Sequence, residues 1–202
     1  MNDVTIQIEA RHLAAAIHSA GKHDLRYYLN AVYIEATETE TRTTATEGHV
    51  CITLRSVHNA PNVLGDAPLV TVLLPRDVVE RVIKSTRGKG AVTLSRDVSG
   101  WKLVDAFTSH SFFPVDGKFP DYRSIFPRTT SGEIAQYDPE LLMRFKKAAK
   151  ALGVKWVVNI EHNGSAAARI TLNATSEFCG VVMPVRIAEK ARSAPDVSWV
   201  AR

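Results

Sequence analysis

The sequence has little cysteine and no long apolar run. Its 202 residues include two cysteines, Cys51 and Cys179, and both lie in strand-like segments. We interpret them as small buried side chains in a reducing compartment, where disulfides are rare. No apolar stretch approaches the roughly 20 residues that a membrane-spanning helix needs, and the N-terminus lacks a basic segment followed by an apolar one. We therefore expect a cytoplasmic location and no membrane contact.

Motifs of catalysis and of metal binding are also missing. None of the seven histidines forms a ligand pair of the HExxH kind. The sequence has no P-loop, no GxGxxG and no nucleophile elbow, and a triad of Asp105, Ser109 and His110 would lack both the elbow and an oxyanion loop. These absences predict that the protein is not an enzyme and needs no cofactor and no metal.

Charge sets only a weak limit on function. The formal net charge is +4, which permits a polyanionic partner without demanding one. The positions of the lysines and arginines along the predicted elements therefore matter more than their number.

The alternation of apolar and polar residues predicts three similar units with the order β-α-β-β-β. The first two units fill residues 1–127, and a third unit fills residues 128–187. Their predicted helices cover residues 10–20, 76–86 and 138–152. The third unit is predicted to open with a short strand at residues 133–137, followed by a helix that Asp138 caps and Pro139 begins.

This element order predicts an α+β fold with helices on one face of antiparallel sheets. We expect a clamp-sized domain at residues 1–127, half of such a domain at residues 128–187, and a polar tail at residues 188–202. The tail contains an isolated apolar pair, Trp199 and Val200.

Three segments carry a family resemblance. Residues 26–51 read RYYLNAVYIEATETETRTTATEGHVC, residues 116–127 read DGKFPDYRSIFP, and residues 181–187 read VVMPVRI. In this order and at this spacing the chain resembles the bacterial sliding clamp, the beta subunit of DNA polymerase III. In that family RYYLNG, ATDGHR, DGRFPDYR and VVMPMR occupy corresponding places. The resemblance implies the DNA-clamp fold, with residues 1–127 similar to the middle domain and residues 132–187 similar to the second half of the last domain.

The resemblance also implies a surface for double-stranded DNA. Clamps of this family are closed rings whose helices line the hole, and basic side chains there attract phosphates without reading bases. The alternative is an ordinary solvated helix face. The residues expected to face DNA are Arg11, Lys22, Arg76, Arg81, Lys84, Arg144, Lys147 and Lys150.

A second implied surface is a hydrophobic groove for short peptide motifs of the polymerase, the clamp loader and other replication proteins. The alternative is that its residues are plain strand core. The groove residues carried over by position are Leu29, Thr46, Gly48, His49, Pro120, Ile125, Val181, Val182, Met183, Pro184 and Arg186.

Two departures from the family pattern affect this groove. The family's Asp-Gly-His-Arg-Leu is replaced here by residues 47–51, which read EGHVC, so the arginine after the histidine is missing. The second arginine of the family's PDYRR is Ser124. We therefore expect a hydrophobic peptide to bind with altered polar preference.

The expected oligomer follows from the number of units. A family ring contains twelve such units and this chain has three, so a homotetramer is the simplest closed arrangement, and it would need two-fold pairing. Two other functions stay open: a clamp decoy or adaptor that binds clamp-interacting peptides without encircling DNA, and a plain basic DNA-binding protein. Residues 196–200 (DVSWV) vaguely resemble a clamp-binding peptide and are a candidate occupant of a groove.

Overall fold

In a computed structural model of the protein, residues 3–155, 158–173, 175–186 and 198–201 are described. The helices are α1 (Ala10–Ala16), α2 (Arg76–Thr86) and α3 (Pro139–Ala151). The strands are β1 (Val4–Glu9), β2 (Ala31–Ala36), β3 (Glu40–Thr46), β4 (Val50–Val57), β5 (Val70–Pro75), β6 (Ala91–Asp97), β7 (Gly100–Val104), β8 (Ser109–Phe112), β9 (Val158–Glu161), β10 (Ala168–Leu172) and β11 (Phe178–Val182). Short 3-10 turns cover Tyr27–Leu29, Tyr122–Ile125 and Ser198–Ala201. No helix in these ranges is long and apolar enough to cross a bilayer.

The first two units exchange their first strands. In the four-stranded sheet, with the order β1-β6-β7-β8, strand β1 pairs with β6 of the second unit, and Glu9 lies opposite Ala91. In the seven-stranded sheet, β5 of the second unit pairs with β2 of the first, and Pro75 lies opposite Ala31. Each unit therefore completes the sheet of the other, and every pairing is antiparallel.

The third unit joins the first through the pairing of β11 with β4. This contact gives the seven-stranded order β5-β2-β3-β4-β11-β10-β9. Cys51 lies opposite Val181, and Thr53 lies opposite Cys179. One continuous sheet thus crosses the predicted boundary between residues 1–127 and 128–187.

Side chains alternate between the two faces of this sheet because the strand period is two. On β4, Val50, Ile52 and Leu54 belong to the large core beneath the helices. Cys51, between them, belongs to a smaller cluster on the opposite face. We call this smaller group the outer cluster; it consists of Leu29, Ala31, Cys51, Leu73, Phe119, Tyr122 and Val181.

A close approach fixes α3 on the sheet. The fully buried ring of Phe145 meets Phe178 edge-on, with centroids 6.4 Å apart. A Cβ atom at Gly180 would lie only 2.5 Å from the Phe145 ring. Because Gly180 has no side chain, the aromatic ring packs directly against the β11 backbone.

Several predicted boundaries are confirmed. Helix α2 spans Arg76–Thr86, as the apolar spacing predicted, and α3 begins at Pro139. The Asp138 side chain accepts a hydrogen bond of 2.8 Å from the backbone N–H of Glu140, as expected of an N-cap residue.

Other boundaries were wrong. Helix α1 ends at Ala16 rather than residue 20, because the backbone bonds of residues 18–20 reach back three residues instead of four. Residues 133–137 form no strand, since they pair with no strand in the described part of the chain. Residues 187–197 of the tail region lie outside the described residues.

We expect Gly180→Ala to lower the free energy of unfolding by about 1–3 kcal/mol, because the new methyl group overpacks the site under Phe145. Urea denaturation of the purified variant measures this. The matched exposed-strand change Ser111→Ala should stay within about 0.5 kcal/mol of the parent. Adding Phe145→Leu to Gly180→Ala should cost less than the sum of the single changes, and strict additivity would contradict the contact.

Candidate functional site

The three helices lie side by side and enclose an open cavity on the surface away from the sheets. Its walls include Ala14 and Ile17 beside α1, Ile83 on α2, and Lys147 and Leu152 beside α3. We call the exposed surface of α1, α2 and α3, with the turns that follow them, the helix face. All three units therefore contribute to one surface, as the resemblance implied.

Four predicted DNA-facing residues are free cations on this face. Lys22, Lys84, Lys147 and Lys150 are exposed, and their ammonium groups form no ion pair within the described ranges. Lys147 and Lys150 line the cavity between the helices, while Lys22 and Lys147 line a neighbouring one. Such unpaired groups can meet phosphates without first breaking an internal contact.

Besides Arg76, three predicted DNA-facing arginines have acidic partners. Arg81 lies 3.2 Å from Asp77 of its own helix. Arg144 lies 3.6 Å from Glu47, in the turn before β4. Arg11 donates to both carboxylate oxygens of Glu177, at 2.6 and 2.9 Å, and to Glu9 at 2.6 Å. Their charge is partly neutralised before any ligand arrives.

Arg76, the eighth predicted residue, stabilises the end of α1. Its Nη1 donates to the carbonyl oxygens of Ile17, Ala20 and Gly21 at 3.0–3.2 Å, and its Nε donates to Glu80 at 2.9 Å. A cation at a helix C-terminus satisfies unpaired carbonyls and complements the helix dipole. Arg76 therefore joins α2 to α1 and is less available to DNA than the lysines.

Glu9, His12 and Glu177 form a group whose ligand atoms lie within 4.8 Å of one another. Buried His12 lies between Glu177, 3.1 Å away, and Ser56, 3.0 Å away, and Arg11 bonds to both carboxylates. Burial lowers the pKa of His12 despite the acidic neighbours. Because the Arg11 guanidinium already supplies the positive charge, this group works as an ion-pair network that ties α1 to the segment before β11.

Sequence reasoning missed two cations at the end of α2. Arg87 and Lys89 line the cavity between the helices but are absent from the predicted set. Arg87 has the left-handed φ of 54° of a helix C-cap, so its side chain leaves the helix in a direction that helical periodicity does not give. His18 also lines this cavity, but burial and then the charges of Lys147 and Arg76 lower its pKa to about 4. It is therefore neutral at pH 7.

The segments that carry the resemblance meet in space. Arg26 donates to the carbonyl of Glu47 at 2.9 Å, and a Cβ atom at Gly48 would lie 3.1 Å from Arg26. The N–H of Met183 donates to the carbonyl of His49 at 2.8 Å. Gly117 lies against the Tyr27 and Tyr28 side chains. Residues that are far apart in sequence thus come together around the turn before β4 and the outer cluster.

The turn before β4 is held by its own side chains. Thr46 is buried, and its hydroxyl donates to the carbonyl of Val50 at 2.8 Å and accepts from Gly48 N–H at 3.1 Å. The Glu47 carboxylate accepts from the N–H groups of His49 and Val50, both at 2.9 Å. Thr46 and Gly48 therefore shape the turn, and the His49 side chain stays exposed.

The segment at residues 116–127 is fastened over the outer cluster. The Tyr122 hydroxyl donates to Glu35, and Arg123 reaches the same carboxylate at 3.0 and 3.1 Å. Phe119 stacks on Tyr33, with centroids 4.6 Å apart. Burial, and then the bond to Glu35, raise the pKa of Tyr122 to about 12. Residues 119–123 (FPDYR) thus hold this segment over the outer cluster. Among the described residues, the Ser124 hydroxyl donates to the nearby Asp121 carbonyl and to no other group.

The predicted groove residues divide into three groups. Leu29 and Val181 are buried in the outer cluster, while Val182 faces the other way, into the core beneath the helices. Val182 is therefore not available to a ligand on the outer surface. The exposed or half-buried members are Gly48, His49, Pro120, Ile125, Met183, Pro184 and Arg186.

Two of these members lie at a separate position. Pro184 and Arg186 line a cavity together with residues 133–136 and 164–165. His49 and Met183 remain adjacent through their backbone bond, and Ile125 is 43% exposed. In the tail, Trp199 and Val200 are 71% and 65% exposed.

Comparison with known proteins gives consistent relatives. No family model matches the chain. The beta sliding clamp of Vibrio cholerae is 31% identical over 163 residues, which are 77% of this chain and 41% of that protein. The beta sliding clamp of Escherichia coli K12 is 31% identical over 143 residues, or 69% and 37% of the two chains. The chain thus spans about two fifths of the length of such curated relatives.

Solved structures agree on the fold. A DNA polymerase sliding clamp from Pseudomonas aeruginosa superposes with a TM-score of 0.69 at 17% identity, over 91% of this chain and 66% of that one. The DNA polymerase III beta subunit of Thermotoga maritima gives a TM-score of 0.70 at 14% identity, over 92% and 66%. Together with the motifs that converge on the outer surface, these similarities place the chain, with its α+β DNA-clamp fold, in the bacterial beta sliding clamp family.

Proposed function

We propose that the protein is a DNA sliding clamp-like processivity factor that encircles duplex DNA as a homo-oligomeric ring. The observation that carries this proposal is the set of free lysines on the helix face, to which all three units contribute. Such a face can attract phosphates of any sequence, and weak contacts of this kind permit sliding. Retention of the protein on the duplex would then come from ring closure rather than from tight binding.

The ring we propose is a homotetramer, because four copies supply the twelve units of a family ring. It would have four times the chain mass of 22.2 kDa. The outer surface would dock short peptides of the DNA polymerase, the clamp loader and other replication proteins. Support for docking comes from the apolar side chains of Ile125 and Met183, which are left partly uncovered close in sequence to Tyr122 and Val181 of the outer cluster. Pro184 adds a half-buried apolar side chain at the separate cavity beside residues 133–136.

For the DNA surface we expect Lys147→Ala to weaken duplex binding and to reduce the slope of log affinity against log salt by about 0.9. The reason is the loss of one unpaired ammonium group that lines both cavities of the helix face. Fluorescence anisotropy of a labelled duplex across a salt series measures both quantities.

Lys118→Ala is the matched control, since Lys118 is an exposed lysine in the segment that covers the outer cluster. Its salt slope should equal that of the parent. If Lys147→Ala and Lys118→Ala had equal slopes of log affinity against log salt, the helix face would not be the DNA-binding surface. Retention on nicked circular plasmid after salt washing, with loss on linearisation, tests encirclement directly.

For the peptide surface we expect Ile125→Ser to weaken binding of a labelled peptide with leucine and phenylalanine anchors by about 5–10-fold, because part of an apolar contact is lost. Ile125 is 43% exposed, so the fold should tolerate the change. The control is Val98→Ser, at a side chain that is 93% exposed in a distant hairpin. Unchanged affinity in Ile125→Ser would remove this residue from the docking surface.

The assays of peptide binding and of retention on circular DNA also separate the alternative functions. Peptide binding without an oligomer and without retention on circles would favour the decoy or adaptor. Binding to short linear duplexes that falls steeply with salt, without retention on circles, would favour a plain basic DNA-binding protein. If residues 196–200 occupy a groove, deleting residues 194–202 should strengthen peptide binding, and no change would remove that role.

A further inference from the structure

In the third unit the second strand lies at a sheet edge, whereas the second strands of the first and second units lie inside their sheets. The second strand of the first unit, β2, lies between β3 and β5, and the second strand of the second unit, β6, lies between β7 and β1. The corresponding strand of the third unit, β9, pairs with β10 alone among the described residues. An unpaired edge presents backbone donors and acceptors that can bind another strand.

The chain also has a segment in the position of a first strand that pairs with no strand in the described ranges. Residues 133–137 precede α3 as β1 precedes α1. The carbonyl of Gln136 accepts a 2.8 Å bond from Val185, beyond the last strand of its unit, just as Thr5 of β1 exchanges bonds of 2.7 and 2.8 Å with Val63. The opposite edge of β1 is paired with β6, whereas residues 133–137 pair with none of the described strands, and Ile134 is 82% exposed.

The free edge of β9 and the unpaired segment at residues 133–137 complement each other, and the first two units show how such a strand and such an edge pair. In the first two units, each first strand adds to the second strand of the other unit. We propose that two copies of the chain pair about a two-fold axis, with residues 133–137 of each copy adding as an antiparallel strand to β9 of the other. The interface is self-complementary, as a two-fold contact requires, and it uses strand addition for recognition.

The existing exchanges also give the register. In both of them the residue directly before the helix lies opposite the first residue of the receiving strand: Glu9 opposite Ala91, and Pro75 opposite Ala31. Applied to the third unit, the same rule sets residue 138 opposite the first residue of the receiving strand of the second copy, whose described part is β9. The added strand would then cover the whole described length of β9.

The flank of α3 also favours a second copy of the chain as the partner, and its charge makes the pairing depend on salt. Met143, 44% exposed, and the half-buried Val154 lie on this flank among Lys146, Lys150 and Lys155. A second α3 packed here would cover the apolar groups, as α1 and α2 cover each other, but would bring lysines together. Salt shortens the range of this repulsion, to about 10 Å at 0.1 M, so the pair should be more stable at moderate salt.

This interface goes beyond the proposed function, because it follows from sheet topology and needs neither DNA nor a closed ring. Two such pairs could build the tetramer, but a pair is complete without it. A pair that is not retained on circular DNA would leave the interface standing and remove the ring.

The test compares Ala135→Pro with the matched control Thr129→Pro by light scattering in about 0.3 M salt, over a range of protein concentrations. Proline in the added strand removes a ladder donor, whereas Thr129 is exposed and lies before the strand segment. We expect the parent and Thr129→Pro to contain an even number of chains and Ala135→Pro to have half their mass. A parent that is monomeric throughout, or an Ala135→Pro variant with the parental mass, would overturn the interface.

Hydrogen exchange of the parent chain supplies a readout that needs no variant. Backbone amides of residues 134–137 and 158–161 should exchange more slowly at high protein concentration than after dilution. Amides in β4, which are paired within the chain, should not change. Concentration-independent exchange at both segments of an oligomeric parent would show that another surface holds the oligomer together.

Discussion

The pairing of β4 with β11 is the contact on which the arrangement of the three units depends. Backbone bonds alone would align two strands, but three further contacts act on the same junction. The Phe145 ring packs against Gly180, and the Arg11 guanidinium donates hydrogen bonds to Glu177. The Met183 N–H donates to the His49 carbonyl and extends the strand pairing. Because these contacts hold α3 next to α1, they also place the lysines of the third unit on the same surface as those of the first.

The two proposed surfaces are mechanically connected through this junction. Glu47 shapes the turn that carries His49 on the outer side, and its carboxylate faces Arg144 on the helix side. Arg26 holds the same turn through the Glu47 carbonyl. A ligand that moves this turn would therefore act on a residue of the helix face without crossing the core.

Local patterns predicted the elements well, and long-range pairing was harder to predict. The apolar spacing of α2 and the Asp138–Pro139 cap are short-range signals, so both helices were placed correctly. Which cations are free could not be read from the sequence, since the partner of Arg11 lies 166 residues away. The assignment of Val182 to the groove was avoidable, because neighbours on a strand face opposite sides and Val181 already faced outward.

The exchange of first strands has a consequence for how the chain folds. Strand β1 pairs with β6, which follows more than 80 residues later, and the sheet of the first unit is incomplete until β5 has been made. Neither unit can close its sheet alone, so most of the ordering entropy must be lost before the long-range contacts form. During synthesis the apolar face of β1 thus stays without its partner strand until β6 has been made, and a chaperone that shields it would accelerate productive folding.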